Sequence, residues 1–139
     1  MTPNQTFKTS ATFRSFEHDE NAGSWHFNFD CNISVSACGF WRLLKANKVW
    51  VVSLDQGHRF GLPEPLDIVK EITKQLVGKT LTELRIKNTG DLELHISDEI
   101  VLEFYISSSG YETYEFLIHN KRYIGLGSGE IKVFDNLME

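Results

Sequence analysis

The sequence predicts an α+β fold: a curved antiparallel sheet, ordered as a meander, with one amphipathic helix packed on its apolar face. Three observations carry this expectation. Apolar and polar residues alternate along most of the chain, one stretch repeats at helical spacing, and the links between alternating stretches are too short for parallel crossovers. With 139 residues, 41% of them apolar and 12% aromatic, the chain can bury a core without a disulfide or a metal. It reads as one domain over residues 1–139, without an internal repeat.

The elements follow in order. Phe7 to Ser15 alternates through Phe7, Ala11 and Phe13. Trp25 to Val35 alternates strictly, which predicts a single eleven-residue strand joined to the first through Glu17–Gly23. Phe40–Leu44 and Val49–Leu54 flank Lys45–Lys48 as a hairpin. Leu66, Val69, Ile72 and Leu76 predict a helix over Pro65–Val77, with Pro65 at its first position and Gly78 ending it. Thr82, Leu84 and Ile86 then face inward, followed by Leu92, Leu94 and Ile96. After a turn at Ser97–Glu99 come Ile100, Leu102, Phe104 and Ile106, a loop at 107–110, and Tyr114, Phe116 and Ile118. Asn120-Lys121 turns the chain into Tyr123–Leu126, and Glu130–Phe134 is a last strand.

Composition narrows the function. A net charge of −5 disfavours nucleic-acid binding, which draws most of its affinity from basic side chains. No run approaches the roughly 20 apolar residues of a membrane span, and the opening residues lack a signal-peptide stretch. The expectation is therefore a cytoplasmic protein, with Cys31 and Cys38 as reduced core thiols. His18, His26, His58, His95 and His119 share no ligand spacing, so neither a metal nor a cofactor is expected. Asp55-Gln-Gly-His-Arg-Phe-Gly61 reads as a turn with positive φ at Gly57 and Gly61 and Asp55 capping backbone N–H groups. A ligand pocket between helix and sheet near His58 and Arg59 is the alternative. Gly125–Gly129 is followed by a strand, not a helix, which excludes a dinucleotide loop and leaves a bend in the sheet. No histidine or acid is fixed beside Ser107–Ser109 by the sequence, so a serine hydrolase is unsupported.

Charge is the strongest functional signal. Asp91 to Asn120 holds seven acids and no Lys or Arg, so the rest of the chain nets +2. Strand phase puts Glu93, Glu103 and Glu115 on the solvent face of three consecutive strands, with His95 opposite Glu103 and Tyr105 opposite Glu93. Such a face is either solvated surface or a dock for a basic partner. As a dock it comprises Glu93, His95, Glu103, Tyr105, Tyr111, Glu112, Tyr114 and Glu115, the tyrosines acting as anchors.

DQGHRFG (55–61), PEPLD (63–67), LVGKTLTEL (76–84), GDLELHISDEIVLEFY (90–105), SSGYETYEF (108–116) and GLGSGE (125–130) stand in a specific order. In that order the chain resembles, over residues 30–131, a family of small uncharacterised bacterial proteins. These are similar in size and gene setting to immunity proteins of polymorphic-toxin and contact-dependent inhibition systems. The resemblance implies a protein-binding role; joined to the acidic face, it gives the expectation of a non-enzymatic immunity protein that binds and blocks a cognate, basic toxin domain, such as a nuclease, as a monomer or weak homodimer. It carries no site residues. The alternatives are the small-molecule site at His58/Arg59 and a subunit that dimerises through a sheet edge.

Overall fold

The computed structural model describes residues 4–135. The strands are β1 (Gln5–Asp19), β2 (Ser24–Phe29), β3 (Ser34–Ala37), β4 (Trp41–Lys45), β5 (Lys48–Val52), β6 (Thr80–Ile86), β7 (Leu92–Ile96), β8 (Ile100–Phe104), β9 (Tyr114–Ile118), β10 (Lys121–Gly125) and β11 (Ile131–Asp135), with helix α1 (Ile68–Leu76) between β5 and β6. They form one antiparallel sheet in the order β11-β10-β9-β3-β2-β1-β6-β7-β8-β4-β5. The α+β class, the antiparallel pairing and the single helix are as the sequence predicts.

The sheet doubles back on itself. β1 is shared: Gln5–Thr12 pairs with β6, while Phe13–Asp19 pairs with β2. A front half (β5-β4-β8-β7-β6 with the start of β1) therefore faces a rear half (the end of β1 with β2-β3-β9-β10-β11). Their inner faces meet in an aromatic core. Phe7 of the front half contacts Phe116 and Tyr123 of the rear at centroid separations of 5.6 and 4.9 Å. Trp41 is fully buried, with Phe16, Trp25 and Phe27 at 81–84° to its ring. Its indole N–H has no hydrogen-bond partner among the described residues. Helix α1 packs on β1 and β5, the two ends of the front half, through fully buried Ile68, Ile72 and Leu76.

The helix is shorter than predicted. Asp67 is its N-cap, accepting from the Lys70 N–H at 3.3 Å, and Gln56 Oε1 accepts from Ile68 N at 2.8 Å. Pro65 lies ahead of the cap, where Leu66 exchanges backbone hydrogen bonds with Gly57 and His58. The buried stripe is consequently 68, 72 and 76, and Leu66 and Val69 are only half-buried. Gly78 ends the helix at φ +76°, as expected.

Trp25–Val35 is two strands, not one. The chain turns at Asp30–Asn32, with Cys31 and Asn32 at φ +62° and +58°. Phe27 then faces Val35 and Trp25 faces Ala37. Odd-numbered residues point inward on both strands, so the alternation runs through the turn unbroken and hides it. Cys31 at the tip is exposed, as is Cys38, so neither is a core thiol. On β6 a bulge between Leu81 and Glu83 leaves Thr82 exposed and buries Leu81 instead. The last hairpin turns on His119-Asn120, at φ +52° and +63°, one residue before the predicted position.

The meander also breaks. β9 does not follow β8 but pairs with β3, and β4 pairs with β8. Behind this lies an internal pseudo-two-fold, contrary to the expectation of no repeat. Each of two units, β1–β5 and β6–β10, is a three-stranded meander followed by a hairpin that crosses to the third strand of the other unit. The equivalence holds in detail. Asp30 N donates to Thr12 O while Asp30 Oδ1 accepts from Thr12 N; Ser97 N donates to Thr80 O while Ser97 Oγ accepts from Thr80 N. Thr12 and Thr80 are themselves cross-strand partners at the axis. Register shifts recur between Phe13 and Ser15 and between Leu81 and Glu83. The two crossings exchange Cys38 N→Thr113 O and Tyr105 N→Phe40 O. Both final hairpins turn on x-Asn-Lys, at Ala46-Asn47-Lys48 and His119-Asn120-Lys121, with the first two residues of each at positive φ.

Candidate functional site

The pseudo-two-fold creates two equivalent outer rows, one on each half. On the front half the row is Arg85, Glu93, Glu103 and Arg42, each directly opposite the next across β6, β7, β8 and β4. The two carboxylates stand side by side in the middle, a repulsive pairing that flanking cations relieve. Arg42 Nε binds Glu103 Oε1 at 2.7 Å, and Lys87 Nζ binds Glu93 Oε2 at 3.1 Å. His95 Nε2 lies 2.9 Å from Glu93 Oε1. Burial alone would raise the Glu93 carboxyl, but the hydrogen bonds from His95 and Lys87 outweigh it and hold it lowered. Next along the face, Glu83 takes hydrogen bonds from Arg85 and Lys8, and these bring its carboxyl from 4.5 to about 2. Burial, then its bond to Glu103, pushes the Tyr105 hydroxyl up to about 12. Tyr105 thus stays a hydrogen-bond donor, with Arg42 over its ring at 5.5 Å.

Towards β5 the same face turns apolar. Leu44 lies opposite Val101 and Val49, while Val52 lies opposite Arg42. Val49 is 50% exposed, while Trp50, also exposed, reaches Glu71 of α1 through its indole N–H at 3.4 Å. Leu54, Phe60 and Leu62, in the loop after β5, are exposed as well. The outer face of the front half is thus a charged row beside an apolar strip.

On the rear half the equivalent row is Glu17, His26, Ser36 and Glu115. Between the two acids, the central side chains hydrogen-bond one another. His26 bonds Ser36 Oγ through Nδ1 at 2.8 Å and Ser24 Oγ through Nε2 at 3.0 Å, and Asn28 donates to Ser15 at 3.0 Å.

The residues predicted to dock a partner divide among these surfaces. Glu93, His95, Glu103 and Tyr105 do share the front face, but in a different register. Glu93 is opposite Glu103, and His95 is opposite Val101, because Ile96 pairs with Ile100 across a three-residue turn. Glu115 is on the rear face, since β9 is not a neighbour of β8, and it pairs with Arg122 at 3.3 Å. Tyr114 is buried, donates its hydroxyl to Gly90 O at 2.7 Å, and is unavailable as a surface anchor. Burial raises its hydroxyl further. Tyr111 and Glu112 are exposed on the loop between β8 and β9, where Glu112 lines a small cleft of about 110 Å³ with Ser24, Ser36 and Cys38.

The loop alternative fares differently from its prediction. Gly57 and Gly61 do take φ +82° and +79°. His58 N, however, is bound by the Asp55 carbonyl, not by its carboxylate, and Arg59 is tied to Pro63 O. Both His58 and Arg59 are exposed, and the depression beside α1 is lined by Leu62, Pro65, Asp67, Lys70 and Glu71 instead. The glycine-rich tail is a bend, as expected. Gly125 packs under the Tyr114 ring, Gly127 against Ser109 and Gly110, and Gly129 against Thr89 O, each leaving no room for a Cβ.

Sequence reasoning missed the cations Lys8, Arg42, Arg85 and Lys87 and the strip at Leu44, Val49, Val52 and Val101. The phase of Arg85 and Lys87 was visible, but Lys8 and Arg42 were not, because they come from strands distant in sequence. Among the described residues no helix is long and apolar enough to cross a membrane, and no group of His, Cys, Asp or Glu gathers for a metal. No family model, curated protein or solved structure matches the chain.

Proposed function

We propose that this protein is a binding protein of the immunity type, which docks on a partner protein domain through the outer face of its front half and blocks that domain. The observation that carries the proposal is the contrast between two equivalent faces. The centre of the rear one hydrogen-bonds within itself, His26 to Ser36 and Ser24, between Glu17 and the ion-paired Glu115, whereas the front one sets exposed apolar groups beside a row of four charges. Apolar groups supply the affinity of an interface and charges its register and partner choice. The adjacent Glu93 and Glu103, held from their flanks by Lys87 and Arg42, still offer a seat between the two carboxylates for a basic group of the partner. A basic toxin domain, the partner expected from the acidic segment, has that chemistry.

The test is titration of the domain encoded by the adjacent gene against wild type, against Leu44→Ser with Val49→Ser on the front face, and against Ser36→Ala on the rear face. The front variant is expected to lose about tenfold or more in affinity, near 1.4 kcal/mol, and the rear variant to bind as wild type. Equal affinity for the wild type and the front variant would remove the front face from the interface.

A further inference from the structure

The pseudo-two-fold leaves one position filled on one side and empty on the other. β5 and β10 are equivalent strands. The outer edge of β10 carries β11, in a ladder running from Lys121↔Asp135 to Gly125↔Ile131. Among the described residues no strand pairs with the outer edge of β5. We propose that a protein partner fills this place by adding a strand: an extended segment, antiparallel to β5, apolar at alternate positions and carrying a carboxylate opposite Lys48. This deepens the docking proposal, since β5 borders the front face, and it rests on that proposal for the nature of the partner.

Three features define the incoming segment. Lys48 corresponds to Lys121, whose Nζ binds Asp135 Oδ1 at 2.8 Å across the β10–β11 ladder. Lys48 itself has no ion pair among the described residues, so a carboxylate at the Asp135 position completes it. On β11, Phe134 lies under Arg122 at 5.6 Å, and Arg122 is the counterpart of Val49. Val49 offers an apolar surface in place of that stem, matching an apolar residue at the Phe134 position. The third feature sets the register. Trp50 is an extra residue in β5 relative to β10, and the register shifts between Leu43 and Leu44 on the opposite strand. The added strand therefore pairs along Lys48 and Val49, leaves Trp50 unpaired and resumes at Val51.

The probe is a capped peptide with the sequence of Gly129–Asp135 of this chain, which supplies the template strand. It is titrated to about 1 mM into the ¹⁵N-labelled protein while amide shifts and exchange are followed. Strand addition predicts saturable shifts and slowed exchange at Lys48–Val52. It also predicts loss of the effect in Lys48→Glu, with recovery when the peptide carries Lys at the Asp135 position. A peptide N-methylated on alternate amides should not bind. Unperturbed β5 amides, shifts confined to β10, or equal binding by the N-methylated peptide would overturn the proposal. Binding of the adjacent-gene domain that persists in Lys48→Glu but falls in the Leu44→Ser/Val49→Ser variant would overturn strand addition alone and leave face docking standing.

Discussion

The front and rear halves are built to one plan, and their inner and outer faces have fared differently. Inside, equivalent positions keep their apolar character: Phe27 and Leu94, Val35 and Leu102, Trp41 and Tyr114, Leu43 and Phe116 are all buried. Outside, Glu17-His26-Ser36-Glu115 on one half stands where Arg85-Glu93-Glu103-Arg42 stands on the other. The plan requires the first set, because exchanging an apolar residue there costs stability wherever it occurs. It places no such demand on the second. The row of four charges on the front half, which the rear row lacks, is what the docking proposal accounts for.

Paired substitutions sharpen this comparison. The largest effect belongs to the shared core. Trp41→Ala removes the ring on which both halves pack and is expected to cost about 3–5 kcal/mol in denaturant unfolding. Its counterpart Tyr114→Phe loses only the hydroxyl bond to Gly90 O and should cost about 1 kcal/mol. Equal losses at the two positions would contradict the packing of both halves on the Trp41 ring.

On the outer rows the expected losses are smaller and unequal. Arg42→Ala leaves Glu103 facing Glu93 without its cation and should cost about 1 kcal/mol. Glu115→Ala, at the equivalent position, breaks a half-exposed pair with Arg122 and should change stability by no more than about 0.5 kcal/mol. Thermal unfolding of the two variants side by side measures the difference.

The pH dependence separates the halves again. Glu83 is held at about 2, below its ordinary 4.5, by hydrogen bonds from Arg85 and Lys8. A depressed carboxylate stabilises the fold above its unfolded value, and that contribution is lost as pH falls from about 4.5 through about 2. Ser15, its counterpart on the rear half, has nothing to titrate. Unfolding curves collected across that window should therefore lose less stability in Glu83→Gln than in wild type. Identical pH profiles would contradict the assignment.

Much of this architecture is legible in the residues, and the failures have physical causes. Period-two patterning finds each strand's inner face, and Gly78 finds the helix end. The turn at Cys31-Asn32 escapes because it preserves the parity of the inward residues. The eight residues between Phe104 and Thr113 give no sign that β9 leaves β8 for β3, since a link of that length permits either course. That one unseen crossing moved Glu115 to the other face, and the unseen repeat concealed the equivalence of the two rows. The acids of 91–120 are visible, but Arg42 arrives on Glu103 from a distant strand, and Lys87, Lys79 and Arg122 lie just outside the segment, so a face that reads as acidic is in fact paired.

The central claim is that the front face docks a partner through its charge pattern. The double variant Arg42→Glu/Glu103→Arg reverses that pattern while keeping an ion pair within the molecule, so folding should be preserved. Calorimetry with the adjacent-gene domain, at equal melting temperature for both proteins, is predicted to show an affinity lower by about tenfold or more in the double variant. An unchanged Kd would contradict the account.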